Sequence, residues 1–318
     1  MARLLIVGAS GFIGTALRRK LAAGRHEVMC VSRTPAQALP GETWRAMDVL
    51  QVPRDGLEEL VAEARPDALI NCVGLAEAPA DKMRTANTVL PGRLVEVLGG
   101  RTIRLVHLGS AAEYGDRTPG PSIQEGDPAQ PRSAYGVTKL EGTLRVVDAA
   151  RAGKTDVVVL RVFNPLGPGL PLASMPGVAA HRIREAIRTG KRSISMGRLD
   201  AWRDFVDVRD VADAIVAAAT VRTIASAILN VGSGNAHQAR EVVLNMAQAV
   251  AWKGEVLEES GLGSNRSSGV SWQQASIERI GSVLGWHPRR TFEEAAASVL
   301  GGSEEASAQA DAAATNER

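Results

Sequence analysis

The stretch Leu4-Leu5-Ile6-Val7-Gly8-Ala9-Ser10-Gly11-Phe12-Ile13-Gly14 decides how the rest of the chain is read. Four consecutive apolar residues suit a short strand covered on both faces, and the run breaks at Gly8. From Ile13 the pattern becomes that of a helix, so Gly8, Gly11 and Gly14 fall in a strand-to-helix turn. Small residues serve such a turn in three ways: the chain reverses tightly, backbone approaches a pyrophosphate closely, and the helix packs onto the sheet. The helix N-terminus then offers free N–H groups and the positive end of its dipole to phosphates. Directly after an apolar strand, the pattern reads as a dinucleotide-binding turn rather than a plain one.

Working outward, short apolar runs alternate with helical patterns. Leu4–Val7, Val28–Ser32, Ala68–Val73, Leu105–Leu108 and Val157–Phe163 read as strands. Ile13–Ala23, Leu57–Ala64, Thr85–Leu98 and Ala134–Arg151 read as helices, the last with Val137, Leu140, Leu144 and Val147 on one apolar face. This alternation predicts a doubly wound, parallel α/β sheet over residues 1–163. A turn-rich crossing at Asn164–Pro171 follows, then a basic helical stretch around His181–Lys191. A helix near Val211–Ala219 and a strand near Ala227–Val231 read as a return to the first sheet, over about 205–233. Residues 164–204 and 234–302 are assigned to a smaller, mixed C-terminal domain, and 303–318, rich in Ala, Ser and Glu, to a frayed tail.

Composition narrows the function. The 318 residues are 45% hydrophobic and 23% charged, ordinary values for a globular protein with a sizeable core. Basic and acidic residues nearly cancel, 37 against 35, which disfavours nucleic acid as a partner. Cys30 and Cys72 lie inside apolar runs and read as buried thiols of a reducing compartment, and no Cys/His cluster has zinc spacing. No apolar run approaches the roughly 20 residues of a membrane span, so a cytoplasmic protein is expected.

The second strand ends in Cys30-Val31-Ser32-Arg33-Thr34. A carboxylate at that end would bind ribose hydroxyls and repel a 2′-phosphate, whereas an arginine attracts it. Ser32 and Arg33 therefore favour NADP(H), with NAD(H) the alternative. Asp48, beside Val49, reads as either an adenine-edge residue or a solvated turn. Ser110 ends the strand Leu105–Leu108 on the sheet edge where open α/β sheets bind ligands. Tyr135 and Lys139 are four apart and share a helix face. An ammonium beside a phenol favours phenolate, which suits the tyrosine to exchange a proton with an alcohol or carbonyl.

Together these motifs resemble the extended short-chain dehydrogenase/reductases, the NAD(P)-dependent nucleotide-sugar epimerase/dehydratase/reductase family, over nearly the whole chain to about residue 300. The resemblance implies a Rossmann fold with Gly8, Ser10, Gly11, Phe12, Ile13 and Gly14 in the cofactor turn. It places Cys72, Val73 and Gly74 past the nicotinamide half, with Asn87 nearby. Ser110, Tyr135 and Lys139 match the family's catalytic triad. Asn164 would touch a sugar nucleotide, and Arg203, in Arg203-Asp204-Phe205-Val206-Asp207-Val208-Arg209-Asp210-Val211, would contact its pyrophosphate. Asp210 reads equally as a helix cap. Arg266, in a Ser/Gly-rich stretch, is the candidate for a second phosphate-binding arginine, and Leu284-Gly285-Trp286-His287-Pro288-Arg289 matches a structural closing segment.

Departures from the family pattern are informative too. Dehydratases of the family carry an Asp-Glu pair directly after the catalytic hydroxyl, where this chain has Ala111 and Ala112 against the substrate. Glu113 comes one residue late and would point differently. No cysteine occupies this segment, and His181 reads as a helix-surface residue. The expected activity is an NADPH-dependent ketoreductase acting on a nucleotide-activated 4-keto-6-deoxy sugar, with Tyr135 as proton donor, Ser110 bonding the same oxygen and Lys139 anchoring the nicotinamide ribose. An NAD-dependent nucleotide-sugar epimerase, or a ketoreductase of another natural-product ketone, remains the rival. A cofactor-binding sensor on the same fold is disfavoured because Tyr135 and Lys139 are both kept. The resemblance also implies a homodimer through the helices Thr85–Leu98 and Ala134–Arg151.

Overall fold

The computed structural model describes residues 1–224, 228–259 and 270–301. In chain order its elements begin β1 (Arg3–Val7), α1 (Phe12–Ala22), β2 (Glu27–Ser32), β3 (Glu42–Ala46), α2 (Arg54–Ala64), β4 (Ala68–Asn71) and α3 (Ala80–Arg84). They continue with α4 (Leu90–Leu98), β5 (Arg104–Ser110), α5 (Ala134–Arg151), β6 (Asp156–Val162), β7 (Asn164–Leu166) and α6 (Met175–Thr189). Next come β8 (Ser193–Met196), β9 (Trp202–Asp207), α7 (Val208–Thr220), β10 (Ile228–Val231) and β11 (Ala236–Gln238). The last are α8 (Ala239–Ala249), β12 (Glu255–Glu258), β13 (Trp272–Gln273), α9 (Glu278–Leu284) and α10 (Phe292–Gly301).

Seven parallel strands form the main sheet in the order β10-β6-β5-β4-β1-β2-β3. The alternation within β1 explains its unbroken apolar run. Leu4 and Ile6 enter the core on one face with Leu17 of α1 and Val211 of α7, while Leu5 and Val7 enter the other with Leu57 of α2 and Leu94 of α4. Strand order reverses between β1 and β4, so a crevice opens at their carboxyl ends, where such sheets bind ligands.

The C-terminal residues build a second core around Ile183, Phe205, Val242, Met246 and Val299. Its small sheet runs β11-β9-β13, with β7 also paired to β9, and β8 pairs with β12. Three expectations change here. The turn-rich crossing contains a strand, β7, and β9 lies in the small sheet, so the return to the main sheet is made by α7 and β10. Among the described residues no helix is long and apolar enough to cross a membrane.

The second change concerns the helix expected over Thr85–Leu98. Its first turn, Thr85–Val89, is a π-turn in which the Leu90 N–H bonds Thr85 O, five residues back. Pro91 supplies the physical reason: it has no N–H to give the Asn87 carbonyl four residues earlier. The third change is α5, whose expected apolar face is split: Val147 is buried and Leu140 half-buried, while Val137 and Leu144 point outward. Val137 and Leu144 are 42% and 47% exposed, and the buried face is made of Gly136, Lys139, Gly142, Thr143, Val146 and Val147. A Cβ on Gly142 would lie 2.0 Å from Asn87 O, so small residues face inward because α5 packs against the π-turn backbone.

Candidate functional site

Gly8 has φ +80°, and a Cβ there would sit 2.9 Å from Val73 N. At Gly14 a Cβ would sit 2.4 Å from Gly8 O. Both positions therefore hold the turn closed against the end of β4 and against itself. Gly11 is the N-cap of α1 with no side-chain cap, no acidic residue lies in the first turn, and Ser10 and Gly11 are exposed. The first N–H groups of α1 thus have no side-chain partner among the described residues, beside half-buried Phe12 and Ile13. That arrangement fits a pyrophosphate.

At the end of β2, the Ser32 hydroxyl donates to Thr34 O at 2.7 Å, so its proton is already committed. Arg33 is exposed and makes no hydrogen bond or ion pair among the described residues. The loop that follows is pinned from beneath. Buried Arg18 donates to both Glu42 carboxylate oxygens, at 2.9 and 2.7 Å, and to Gln37 O, and lies 4.5 Å over the Trp44 ring. Asp48 is half-buried and accepts the Leu50 N–H at 3.0 Å through Oδ1. Val49 is buried beside it, and Arg93 donates to the carbonyls of Val49, Leu50 and Val52.

Between β4 and α5 the backbone is set by two asparagines. Asn71 accepts the Val73 N–H at 3.1 Å and donates to His107 Nδ1 at 3.2 Å. Asn87 accepts from Leu75 N at 3.0 Å and donates to Leu75 O and to the Thr138 hydroxyl. Its amide therefore fastens the Gly74–Leu75 segment to α5. A Cβ on Gly74 would be 4.0 Å from Lys139 Nζ, and buried Lys139 donates to Leu108 O. Cys72 lies in the same wall, and desolvation pushes its thiol and that of Cys30 up to about 12, so neither carries a thiolate at neutral pH.

Ser110 ends β5 with its Oγ accepting the Ala112 N–H at 3.2 Å, which leaves its own proton to give. Tyr135 is half-buried in the first turn of α5, which Ser133 caps. A Cβ on Gly136 would lie 2.5 Å from Ala112 O, so the start of α5, next to Tyr135, abuts the Ser110–Glu113 turn. The structure thus gathers Ser110, Lys139, Gly74 and Asn87 at the carboxyl ends of β4 and β5.

On the other wall, Asn164 donates to Asp204 O at 3.0 Å, joining β7 to β9. Arg203 is buried, donates to Trp202 O and Val270 O, and has no carboxylate in ion-pair range among the described residues. Burial pulls its guanidinium down to about 10. A buried cation whose nearest carboxylates, Asp116 and Asp200, act only from beyond ion-pair range is costly alone and suits a diphosphate. Arg266 lies outside the described residues. Asp207 caps α7, while Asp210 pairs with Arg290 and accepts the Arg289 and Arg290 N–H groups, tying α7 to the closing segment. His181 is exposed.

Sequence reasoning missed several residues behind the site. Gln273 donates to Ala111 O and Gly115 O, and Asp204 accepts from Ser233, Gly234 and Ala275. His107 is the third. It is fully buried, accepts from Asn71 at Nδ1, and so carries its proton on Nε2, which has no partner among the described residues. Burial, and then the Lys139 charge, hold its pKa well below the ordinary value of about 6.5. A histidine kept neutral in the fold binds fewer protons than in the unfolded chain, so its contribution is intact above about pH 6.5 and lost as pH falls. Between pH 7.5 and 5.5 wild-type protein is expected to lose about 1.4 kcal/mol more stability than His107→Asn. Urea unfolding at the two pH values checks this; equal losses would show that His107 protonates in the folded state.

Residues 4–232 match the NAD dependent epimerase/dehydratase family. The chain is 37% identical over 302 residues to the dTDP-6-deoxy-L-talose 4-dehydrogenase (NAD(P)(+)) of Kitasatospora kifunensis, covering 92% of this chain and 93% of that one. It is 28% identical to the GDP-6-deoxy-D-mannose reductase of Pseudomonas aeruginosa, covering 94% and 96%. Among solved structures, MoeE5 in complex with UDP-glucuronic acid and NAD superposes with a TM-score of 0.80 at 26% identity, covering 96% of this chain and 99% of that one. RMD from Pseudomonas aeruginosa complexed with NADPH superposes with a TM-score of 0.78 at 25% identity, covering 94% and 98%. With the strand-to-helix turn, the parallel sheet and this agreement over nearly the full length, the chain belongs to the NAD-dependent epimerase/dehydratase family and is an NAD(P)-dependent enzyme of the extended short-chain dehydrogenase/reductase type.

Proposed function

We propose that the protein is an NADPH-dependent ketoreductase that reduces the 4-keto group of a nucleotide-activated 6-deoxy sugar. The observation that carries this reading is the make-up of the turn after Ser110. Ala111 and Ala112 bring no acid or base, and the nearby carboxylate, Glu113, is buried in an ion pair with Arg161. Elimination of water would need two proton carriers there, whereas reduction of a carbonyl needs one donor, the role given to Tyr135. Two relatives are named for oxidoreduction of nucleotide-activated 6-deoxy sugars, which agrees with this substrate class.

The residues divide the work by position. Gly8, Ser10, Gly11, Phe12, Ile13 and Gly14 would hold the dinucleotide's pyrophosphate, and Val73 and Gly74 would line its nicotinamide half. A bound nicotinamide cofactor supplies the hydride. Tyr135 gives its phenolic proton to the oxygen of the reduced carbonyl, and Ser110 steadies that oxygen with the proton its Oγ keeps. Lys139, fixed by Leu108 O, stands one helical turn from Tyr135, and an ammonium near a phenol favours loss of the phenol's proton. Arg203 would take the sugar nucleotide's diphosphate.

The unpaired guanidinium of Arg33 supports NADPH over NADH. The outward face of α5, with Val137 and Leu144, and the nearby Val89, 39% exposed, supports a homodimer through α4 and α5. Titration of the purified protein, sized by light scattering, tests the reading. The expected result is a dimer that prefers NADPH about tenfold, worth about 1.4 kcal/mol, with Arg33→Ala bringing the two dinucleotides to parity. Turnover of a 4-keto-6-deoxy nucleotide sugar should accompany it. Tightly retained NAD with no net reduction would make the chain an epimerase instead.

A further inference from the structure

A buried carboxylate that the proposed chemistry leaves unused stands directly behind the site. Glu113 is completely buried, and its two oxygens carry three bonds. Oε1 accepts the Ser110 N–H at 2.8 Å and the Thr143 hydroxyl at 3.0 Å, while Oε2 accepts Arg161 Nε at 2.8 Å. These partners belong to three elements. Ser110 is the last residue of β5, Thr143 lies on α5 four residues after Lys139, and Arg161 is on β6. The carboxylate is braced from its far side as well. The Arg161 guanidinium lies 4.5 Å over the Tyr114 ring, and the Tyr114 hydroxyl donates to Asn230 Oδ1 on β10 at 2.7 Å. Glu113 therefore sits on a rigid mount, with one arm on the strand end that carries Ser110 and another on the helix that carries Tyr135 and Lys139.

We infer that Glu113 is a positioning residue that sets the separation of Ser110 from the Tyr135–Lys139 pair, through its bond to Thr143. The inference rests on the reading of those three residues as the reacting and anchoring groups. A carbonyl oxygen must meet the Ser110 and Tyr135 hydroxyls together, and a misplacement of about 1 Å in such a site costs on the order of 10²-fold in rate. The other contacts that hold α5 at this strand end include the approach of Gly136 to Ala112 and the Lys139 bond to Leu108 O.

Substitution at Thr143 separates this role from mere support of the fold. Thr143→Val removes the hydroxyl and keeps the shape; Thr143→Ser keeps the hydroxyl and removes a buried methyl. With a 4-keto-6-deoxy nucleotide sugar and NADPH, Thr143→Val is expected to lower kcat by about 10- to 100-fold. Its KM for the sugar nucleotide and its Kd for NADPH should stay within about threefold of wild type, because neither binding surface is touched. Thr143→Ser should recover most of kcat although its Tm falls at least as far as that of Thr143→Val. Loss of kcat that follows Tm through both variants, or full kcat in Thr143→Val, would overturn the inference alone. Absence of turnover by the wild-type protein would overturn the reading of the site, and this inference with it.

Discussion

Tyr135→Phe is expected to lower kcat by about 10²- to 10⁴-fold, the range that a positioned proton donor contributes. The phenyl ring keeps the packing at the head of α5, so NADPH affinity should stay within about threefold and Tm within a few degrees. Nothing else in the turn can take over. Ala111 and Ala112 have no titratable group, the Ser110 hydroxyl can bond the carbonyl oxygen but is too weak an acid to replace a phenol as proton donor, and Lys139 is turned to Leu108 O. Steady-state kinetics with dye-free absorbance of NADPH, beside a direct titration of the dinucleotide, checks both halves. A variant with wild-type kcat would remove Tyr135 from the chemistry; a variant that loses NADPH binding equally would make it a cofactor contact.

The second large effect concerns stability. Glu113→Ala leaves the Arg161 guanidinium buried without its counter-charge, and breaking one side of a buried pair costs about 3–5 kcal/mol. Both side chains are almost wholly inaccessible, 4% for Arg161 and 0% for Glu113, so water cannot enter to compensate. The Ser110 N–H and the Thr143 hydroxyl are orphaned as well. Replacing both partners, as Glu113→Leu with Arg161→Met, should recover much of the loss, because the desolvated charges go together. Chemical unfolding of the two single variants and the double variant measures the coupling. Additive losses would show that the two charges do not depend on one another.

Some of this was legible in the chain and some was not, for physical reasons. The turn Gly8–Gly14 and the strands beside it could be read because each depends on local sequence: an apolar run, then small residues where backbone must approach backbone. The outward turn of Val137 and Leu144 on α5 was missed for the opposite reason. Gly142 and Thr143 look like poor core residues until the π-turn backbone is known to lie against them, and Pro91 creates that π-turn 51 residues earlier in sequence. Glu113 was recognised as misplaced for acid–base work, but its partner Arg161 is 48 residues away and brought near only by the pairing of β5 with β6. Gln273 and His107 gave no signal, since a single buried polar side chain has no periodicity.

The close approach of Gly142 to Asn87 bears on how this site could be altered or moved. Its helix has no side chain at the crossing, so the distance between the two backbones is a property of the pair and not of either segment. Engineers who wish to retarget the enzyme can vary the walls contributed by β7, β9 and β13, because none of those residues sets that distance. A catalytic helix borrowed from elsewhere would have to arrive with its own Gly142 and its own Pro91, as one inherited unit. Exchange of the helix alone would lose the matched approach of Gly142 to Asn87.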